Sequence, residues 1–498
     1  MNVKYIYKPL KGIIILVIAF LFSCSGEKAP VLNGTRPNIV FILADDMGWA
    51  DLPVYGNRFN EAPNLTRMAD NGIRFMDAYA ACPVCSPTRA SIMSGQYPAR
   101  VGIIDYIPGH WRPFEEVTVP TNRTQYLPPG VITIGETLKK AGYATGYFGK
   151  WHLGNKEEYY PGNQGFDEAN VYRGGGYFDY AGRMSKPIDV EKGTVLSEAL
   201  TDMSLDFIEK HRKERFFLFL AHFDVHVQLD ADSALIHKYL SREKVQGYPC
   251  NAVYAAMVES VDKSVGRVLD KLEELDIADH TLVVFFSDNG GLVSRFDKIP
   301  LLAKSKQHIY KGDTLLYVAS SNAPLRGEKG TLFEGGIREP MIVCWPGMIR
   351  PGVVSDAILT SVDFYPTFAQ LAGINLPDTQ DFDGKSFLPV LSGDEPDSER
   401  AIFWHYPVYH HDRPASAIRK GDWKLIHYLT NDSTMLYNLS EDIGESNDLS
   451  RSNPEKTRDL MVQLKQWWEE VGATFPAPNP NFDPEKRYQW GVHPDQGN

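Results

Sequence analysis

Cys85 opens the stretch Cys85-Ser86-Pro87-Thr88-Arg89, in which Pro87 suits the first turn of a helix and so sets the cysteine at a helix N-terminus. Backbone N–H groups and the helix dipole favour an anion at such a place. Arg89, one turn on, can point back toward it. A second set of residues offers oxygen. Asp45 and Asp46 follow one apolar run, and Asp288 and Asn289 follow another. Asp45 and Asp46 alone read as turn or helix-cap carboxylates. Together, three carboxylates and an amide oxygen suit Ca2+, less readily Mg2+, and not a metal that seeks thiolates. Adjacent like charges repel, so a cation between them gives a physical reason for their tolerance.

Each of these residues stands where a buried strand should end. Asn38 to Leu43 runs into Asp45-Asp46, and Leu282 to Phe286 into Asp288-Asn289. Phe216 to Leu220 leads to His222 and His226, and Tyr143 to Phe148 leads to Gly149-Lys150-Trp151-His152. Uninterrupted apolar strands mark a sheet covered on both faces, and ligands of such sheets bind beyond the carboxyl ends of the strands. Four polar loops at four strand ends therefore predict one shared site. Helical spacing over Ile134 to Ala141 and Tyr254 to Leu275 supplies the covering layers. After Gly393 short runs at Ile402 to Trp404, Ala417 to Ile426 and Met435 to Tyr437 predict a small antiparallel sheet, followed by an amphipathic helix over Pro454 to Val471 and an irregular Pro-rich end.

The segment from Cys85 to Gly95 resembles the signature of the type I, formylglycine-dependent sulfatases, with Thr88 in place of the commoner Ser. The resemblance runs from about Pro37 to about Ile426 and includes Gly149-Lys150-Trp151-His152 and the stretch Arg326 to Arg338 around Lys329. It implies an alkaline phosphatase-like α/β fold: a large central, mostly parallel sheet flanked by helices, with a smaller C-terminal antiparallel-sheet α+β domain. It further implies that Cys85 is converted to formylglycine by a maturation enzyme and that Asp45, Asp46, Asp288 and Asn289 hold Ca2+. Arg89, Lys150 and Lys329 are expected at the sulfate, with His152 at the formylglycine. A histidine after the Phe216 strand is expected to protonate the leaving alcohol. The family's usual Pro-His pair appears here as Val225-His226, which favours His226, with His222 as the competitor.

The 498 residues suggest a signal peptide with a lipobox over 1–24, a catalytic domain over 36–395 and a smaller domain over 400–498. Lys4, Lys8 and Lys11 precede an apolar run from Ile13 to Phe22, too short for a comfortable membrane span, and Leu21-Phe22-Ser23-Cys24 resembles a bacterial lipobox. A plain signal peptide is the alternative. Either way the expectation is an exported protein, periplasmic or lipid-anchored at the outer membrane of a Gram-negative bacterium, touching membrane only through that anchor. Removing Cys24 and Cys85 leaves Cys82, Cys250 and Cys344, an odd number that implies no disulfide framework but leaves room for one pair.

A net charge of −12 argues against nucleic acid as a partner, since phosphate backbones are held by clustered Lys and Arg. The expected substrate is a sulfated saccharide gripped by a few local cations. Trp404-His405-Tyr406, His410, His411 and Arg413 could line a sugar subsite, with His405 and His410 as substrate contacts, or could pack a domain junction. Two other activities remain compatible with the residues: a phosphodiesterase or phosphonate monoester hydrolase of the same superfamily, and an inactive glycan-binding lipoprotein.

Overall fold

The computed structural model describes residues 32–295 and 297–494. The signal segment and Cys24 lie outside these residues. Eight strands form the central sheet, in the order Val353–Ser355, Gly72–Phe75, Met341–Cys344, Thr281–Ser287, Asn38–Ala44, Phe216–Ala221, Ala144–Lys150 and Glu168–Tyr172. All neighbours run parallel except Met341–Cys344, which is antiparallel to the strands on both sides of it.

The apolar runs are continuous because each strand feeds two cores. Val40, Ile42 and Ala44 face one hydrophobic cluster with Leu218, Leu220, Val283 and Phe285. Ile39, Phe41 and Leu43 face the other with Phe217, Phe219, Val284 and Phe286. The helix Ala252–Glu274 covers the first face through Val261, Val265, Val268 and Leu272. Asn251 caps it by accepting from the Val253 N–H at 3.1 Å. The helix Phe364–Leu371 covers the second face through Phe364 and Phe368.

Four antiparallel strands, Ala401–Tyr406, Ala415–Lys420, Trp423–Tyr428 and Thr434–Asn438, make the small sheet in chain order. The apolar run Ala417 to Ile426 is thus two strands, split at Gly421-Asp422. The closing helix Pro454–Val471 buries Leu460, Leu464 and Trp467 against Ile418, Leu425 and Leu436. Trp404 fastens this sheet to the segment before Cys85, its indole N–H donating to the Ala80 carbonyl at 2.8 Å. Lys424, fully buried, fastens it to the loop after Lys329 by pairing with Glu334 at 2.8 Å. The irregular end returns to the large domain, where Trp490 lies 5.0 Å from the His110 ring.

Among the described residues no helix is long and apolar enough to cross a membrane. Cys82, Cys85, Cys250 and Cys344 are all buried and unpaired, so the pair allowed by cysteine arithmetic does not form among them.

Candidate active site

The strands ending at Ala44, Lys150, Ala221 and Ser287 are mutually parallel, so their loops share one edge of the sheet. Two loop residues leave those ends in left-handed backbone, Asp46 with φ of 62° and His152 with φ of 58°. Such conformations are costly for residues other than glycine and are retained where surrounding contacts demand a particular side-chain direction. Gly149 serves the same edge differently: a Cβ there would overlap the Ala221 carbonyl, so only glycine lets the two strands close together before Lys150.

Cys85 is the first residue of the helix Cys85–Ser94, as its spacing before Pro87 predicts, and Gly95 ends that helix in left-handed conformation with φ of 69°. Arg89 is buried one turn on. Its Nε donates to Asp288 Oδ2 at 2.9 Å and a terminal nitrogen donates to the Lys150 carbonyl at 2.6 Å. Lys150 Nζ pairs with Asp45, and Lys329 Nζ donates to the two oxygens of Asp46 at 2.6 and 2.8 Å. Three carboxylates thus meet three cations in a buried cluster beside Cys85.

Burial works against the Asp46 charge, but Lys329, with His226 and Lys150, holds the carboxyl well below the usual carboxylate range. Asp288 is pushed up instead, by burial and by Asp45. Burial raises the Cys85 thiol, with Lys150 and Lys329 opposing, which makes the unmodified cysteine a poor source of thiolate.

The oxygen set expected to bind a cation comes together. One oxygen from each of Asp45, Asp46 and Asp288 lies within 4.8 Å of the others. Asn289 donates its amide to Asp46 Oδ1 at 2.8 Å. Among the described residues the buried atoms Asp45 Oδ1 and Asn289 Oδ1 have no hydrogen-bond partner. Unpaired buried acceptors are costly, and a hard cation bound by oxygen is the group they fit.

A cavity of about 660 Å3 opens over this cluster, lined by Cys85, Lys150, His152, His226 and Lys329 among others. His152 Nε2 is 2.7 Å from the Ile107 carbonyl, leaving Nδ1 buried and without a partner among the described residues. His226 Nε2 stands 3.7 Å from Asp46 Oδ2, and burial depresses its pKa to about 3. His222 does not line the cavity. It is buried on the opposite side of the loop, 2.9 Å from Ser264 of the long covering helix, so His226 is the histidine presented to the pocket.

His410 lines the cavity, with its Nδ1 2.7 Å from His411 Nδ1. Gly330 makes room for it, since a Cβ there would collide with the His410 ring. His405 requires a correction. It is buried inside the small sheet, with Nδ1 2.6 Å from Ser416 Oγ and Nε2 2.7 Å from the Thr474 carbonyl, and it is not a wall of the cavity. Along an antiparallel strand an inward polar residue satisfied by its neighbours looks, in sequence, like one offered to a ligand. Other wall residues carried no motif: Tyr106, His110, Tyr172, Arg173 and Arg295. Arg173 had one legible signal, its place directly after a strand and before Gly174-Gly175-Gly176.

Buried carboxylates and cations at the carboxyl edge of a doubly covered sheet define an alkaline phosphatase-like hydrolase. Residues 37–374 match the sulfatase family model, and residues 327–473 match that of the N-sulphoglucosamine sulphohydrolase C-terminal region. The chain belongs to the sulfatase family and is a sulfuric ester hydrolase. It is 33% identical to a sulfatase of Formosa agariphila, with 90% of each chain covered. It is 34% identical to human N-acetylgalactosamine-6-sulfatase across 71% of this chain and 66% of the human one. The crystal structure of Ps i-CgsB superposes with a TM-score of 0.71 at 29% identity, covering 87% of this chain and 92% of that one.

Proposed function

We propose that this protein hydrolyses sulfate esters on saccharides at a formylglycine made from Cys85 by a maturation enzyme, with Ca2+ held by Asp45, Asp46, Asp288 and Asn289. The observation that carries the reading is the position of Cys85. It begins a helix, opens into the cavity, and lies beside Arg89, Lys150 and Lys329. The saccharide is supported by relatives: human N-acetylgalactosamine-6-sulfatase by its name, and Ps i-CgsB by a structure in complex with k-i-k-neocarrahexaose.

The aldehyde hydrate of formylglycine supplies an oxygen nucleophile, and a bound Ca2+ supplies positive charge facing the sulfate. The chain's own residues do the rest. Lys150 and Lys329, which line the cavity with Cys85, bind and orient the sulfate, and the helix N-terminus adds its dipole. Arg89 fixes Asp288 and the Lys150 carbonyl, which keeps the lysine's loop in place. His226 gives a proton to the departing sugar oxygen. For this its ring must be protonated: burial, Lys329 and Lys150 hold its pKa down, and a sulfate anion seated beside it would oppose the two lysines and let the ring take up that proton. His152 takes a proton at its unpartnered Nδ1 when sulfate is released.

Export completes the proposal: a lipid on Cys24 would hold the enzyme at the outer membrane, where external glycans arrive. Mass spectrometry of the peptide containing Cys85, with turnover of a panel of sulfated mono- and oligosaccharides, tests the reading. An aldehyde at residue 85 with saccharide turnover is expected. A fully retained thiol in an active enzyme would overturn it.

A further inference from the structure

The cations lining the cavity are not equivalent. Lys150 and Lys329 pair with carboxylates of the proposed calcium set and are assigned to the sulfate, and Arg295 is paired with Asp297. Arg173 differs. Among the described residues no carboxylate lies within ion-pair distance of its guanidinium, although it lines the same cavity. It is exposed, at the mouth, immediately after the strand Glu168–Tyr172. Two backbone carbonyls aim it: Nε donates to Arg183 O at 3.3 Å and a terminal nitrogen donates to Met184 O at 2.7 Å.

The positive charge is reinforced from behind. Arg183 is also without a carboxylate partner among the described residues, and its side chain passes over Gly175, where a Cβ would overlap its Cδ. Gly175 has φ of 127°. This loop therefore holds two like charges, neither of them in an ion pair among the described residues. Like charges repel, and an anion seated against both guanidiniums would relieve that repulsion. The sulfate to be cleaved does not serve, because it belongs beside Cys85 and the two lysines.

We propose that Arg173, supported by Arg183, binds a second anionic group of the substrate, a sulfate or carboxylate carried elsewhere on the saccharide. The enzyme then selects multiply charged saccharides over singly sulfated ones. The inference rests on the sulfatase site proposed above and adds the charge pattern of its substrate. A guanidinium suits this task because its planar fork bonds a sulfate or carboxylate through two N–H groups at once.

The test is the Arg173→Gln enzyme with matched saccharides: N-acetylgalactosamine 6-sulfate against its 4,6-disulfate, and a monosulfated disaccharide with and without a uronic acid. Arg173→Gln is expected to raise KM about tenfold for the doubly charged member of at least one pair, as for a lost charge-assisted hydrogen bond, and to leave the singly charged members and an aryl sulfate within about twofold. Arg173→Lys should recover part of the loss. Equal losses on every substrate would show a structural role, and no loss on any doubly charged one would remove the subsite. Binding of the same pairs to the Cys85→Ala protein, measured by calorimetry, reads the second anion without any turnover. A preference for the doubly charged member that disappears in Cys85→Ala/Arg173→Gln sustains the subsite even where cleavage by residue 85 fails. Equal affinity for both members in Cys85→Ala overturns it.

Discussion

A terminal nitrogen of Arg89 lies 2.7 Å from Asp288 Oδ2, joining the helix that begins at Cys85 to the end of the strand Thr281–Ser287. Both side chains are almost fully buried. Removing the arginine strands a carboxylate among other carboxylates. Arg89→Ala is expected to destabilise the fold by about 3–5 kcal/mol, the usual cost of breaking a buried pair from one side. Denaturant unfolding checks this, and Arg89→Lys should lose less.

Chelation should act on both rate and stability. With EGTA, activity is expected to vanish and the melting temperature to fall, because a cation bound only by the folded chain stabilises it by mass action. Ca2+ should restore both better than Zn2+, since every proposed ligand atom is oxygen. Asp288→Ala should lose the calcium-dependent rise in melting temperature, read by thermal scans with and without Ca2+. An active, chelator-resistant enzyme would end the assignment.

His226→Ala should slow a sulfate ester with a poor alkyl alcohol leaving group far more than one with a good phenol, because a phenolate departs with little protonation. His222→Ala should show no such discrimination. It removes one of two partners of Ser264 in the core, Thr201 being the other, and should register in unfolding measurements instead.

His405, within the first strand of the small sheet, and His410, in the loop after it, should behave differently. His410→Ala is expected to raise KM for a saccharide while sparing a small aryl sulfate. His405→Ala should cost about 1–3 kcal/mol of stability, by removing the partner of the Thr474 carbonyl and one of the partners of Ser416 Oγ, and should not discriminate between substrates. Burial lowers the His405 pKa from 6.5 to about 4, so the folded protein keeps it neutral where the unfolded chain takes up a proton. Its contribution is present above pH 6.5 and is lost as pH falls through the interval down to about 4, by up to ~3 kcal/mol. A His405→Gln protein should show a shallower fall in melting temperature across that interval.

Much of this site was legible because its chemistry sits at the ends of strands whose two faces are both apolar. The run before Asp45 and the run before Asp288 declare their ends by composition alone. Lys150 and Lys329 needed the motif as well, since a lone lysine reads as solvated surface. The choice between His222 and His226 depended on which way a six-residue turn coils, and no periodicity encodes that. His405 was misplaced because satisfaction by Ser416 and Thr474 is a three-dimensional fact. Arg173 carries no motif, and its place on the cavity wall follows only from the fold.

The position of Asn38–Ala44 inside the sheet sets the order of events during synthesis. This strand is the first of the eight to emerge, yet it lies between Phe216–Ala221 and Thr281–Ser287, and the Phe216 N–H that bonds to the Asn38 side chain is 178 residues away. Until that much more chain exists, a seven-residue apolar segment has both edges unpaired and both faces bare. Such a bare apolar strand is a place where copies of the nascent protein can associate until Phe216–Ala221 has been made.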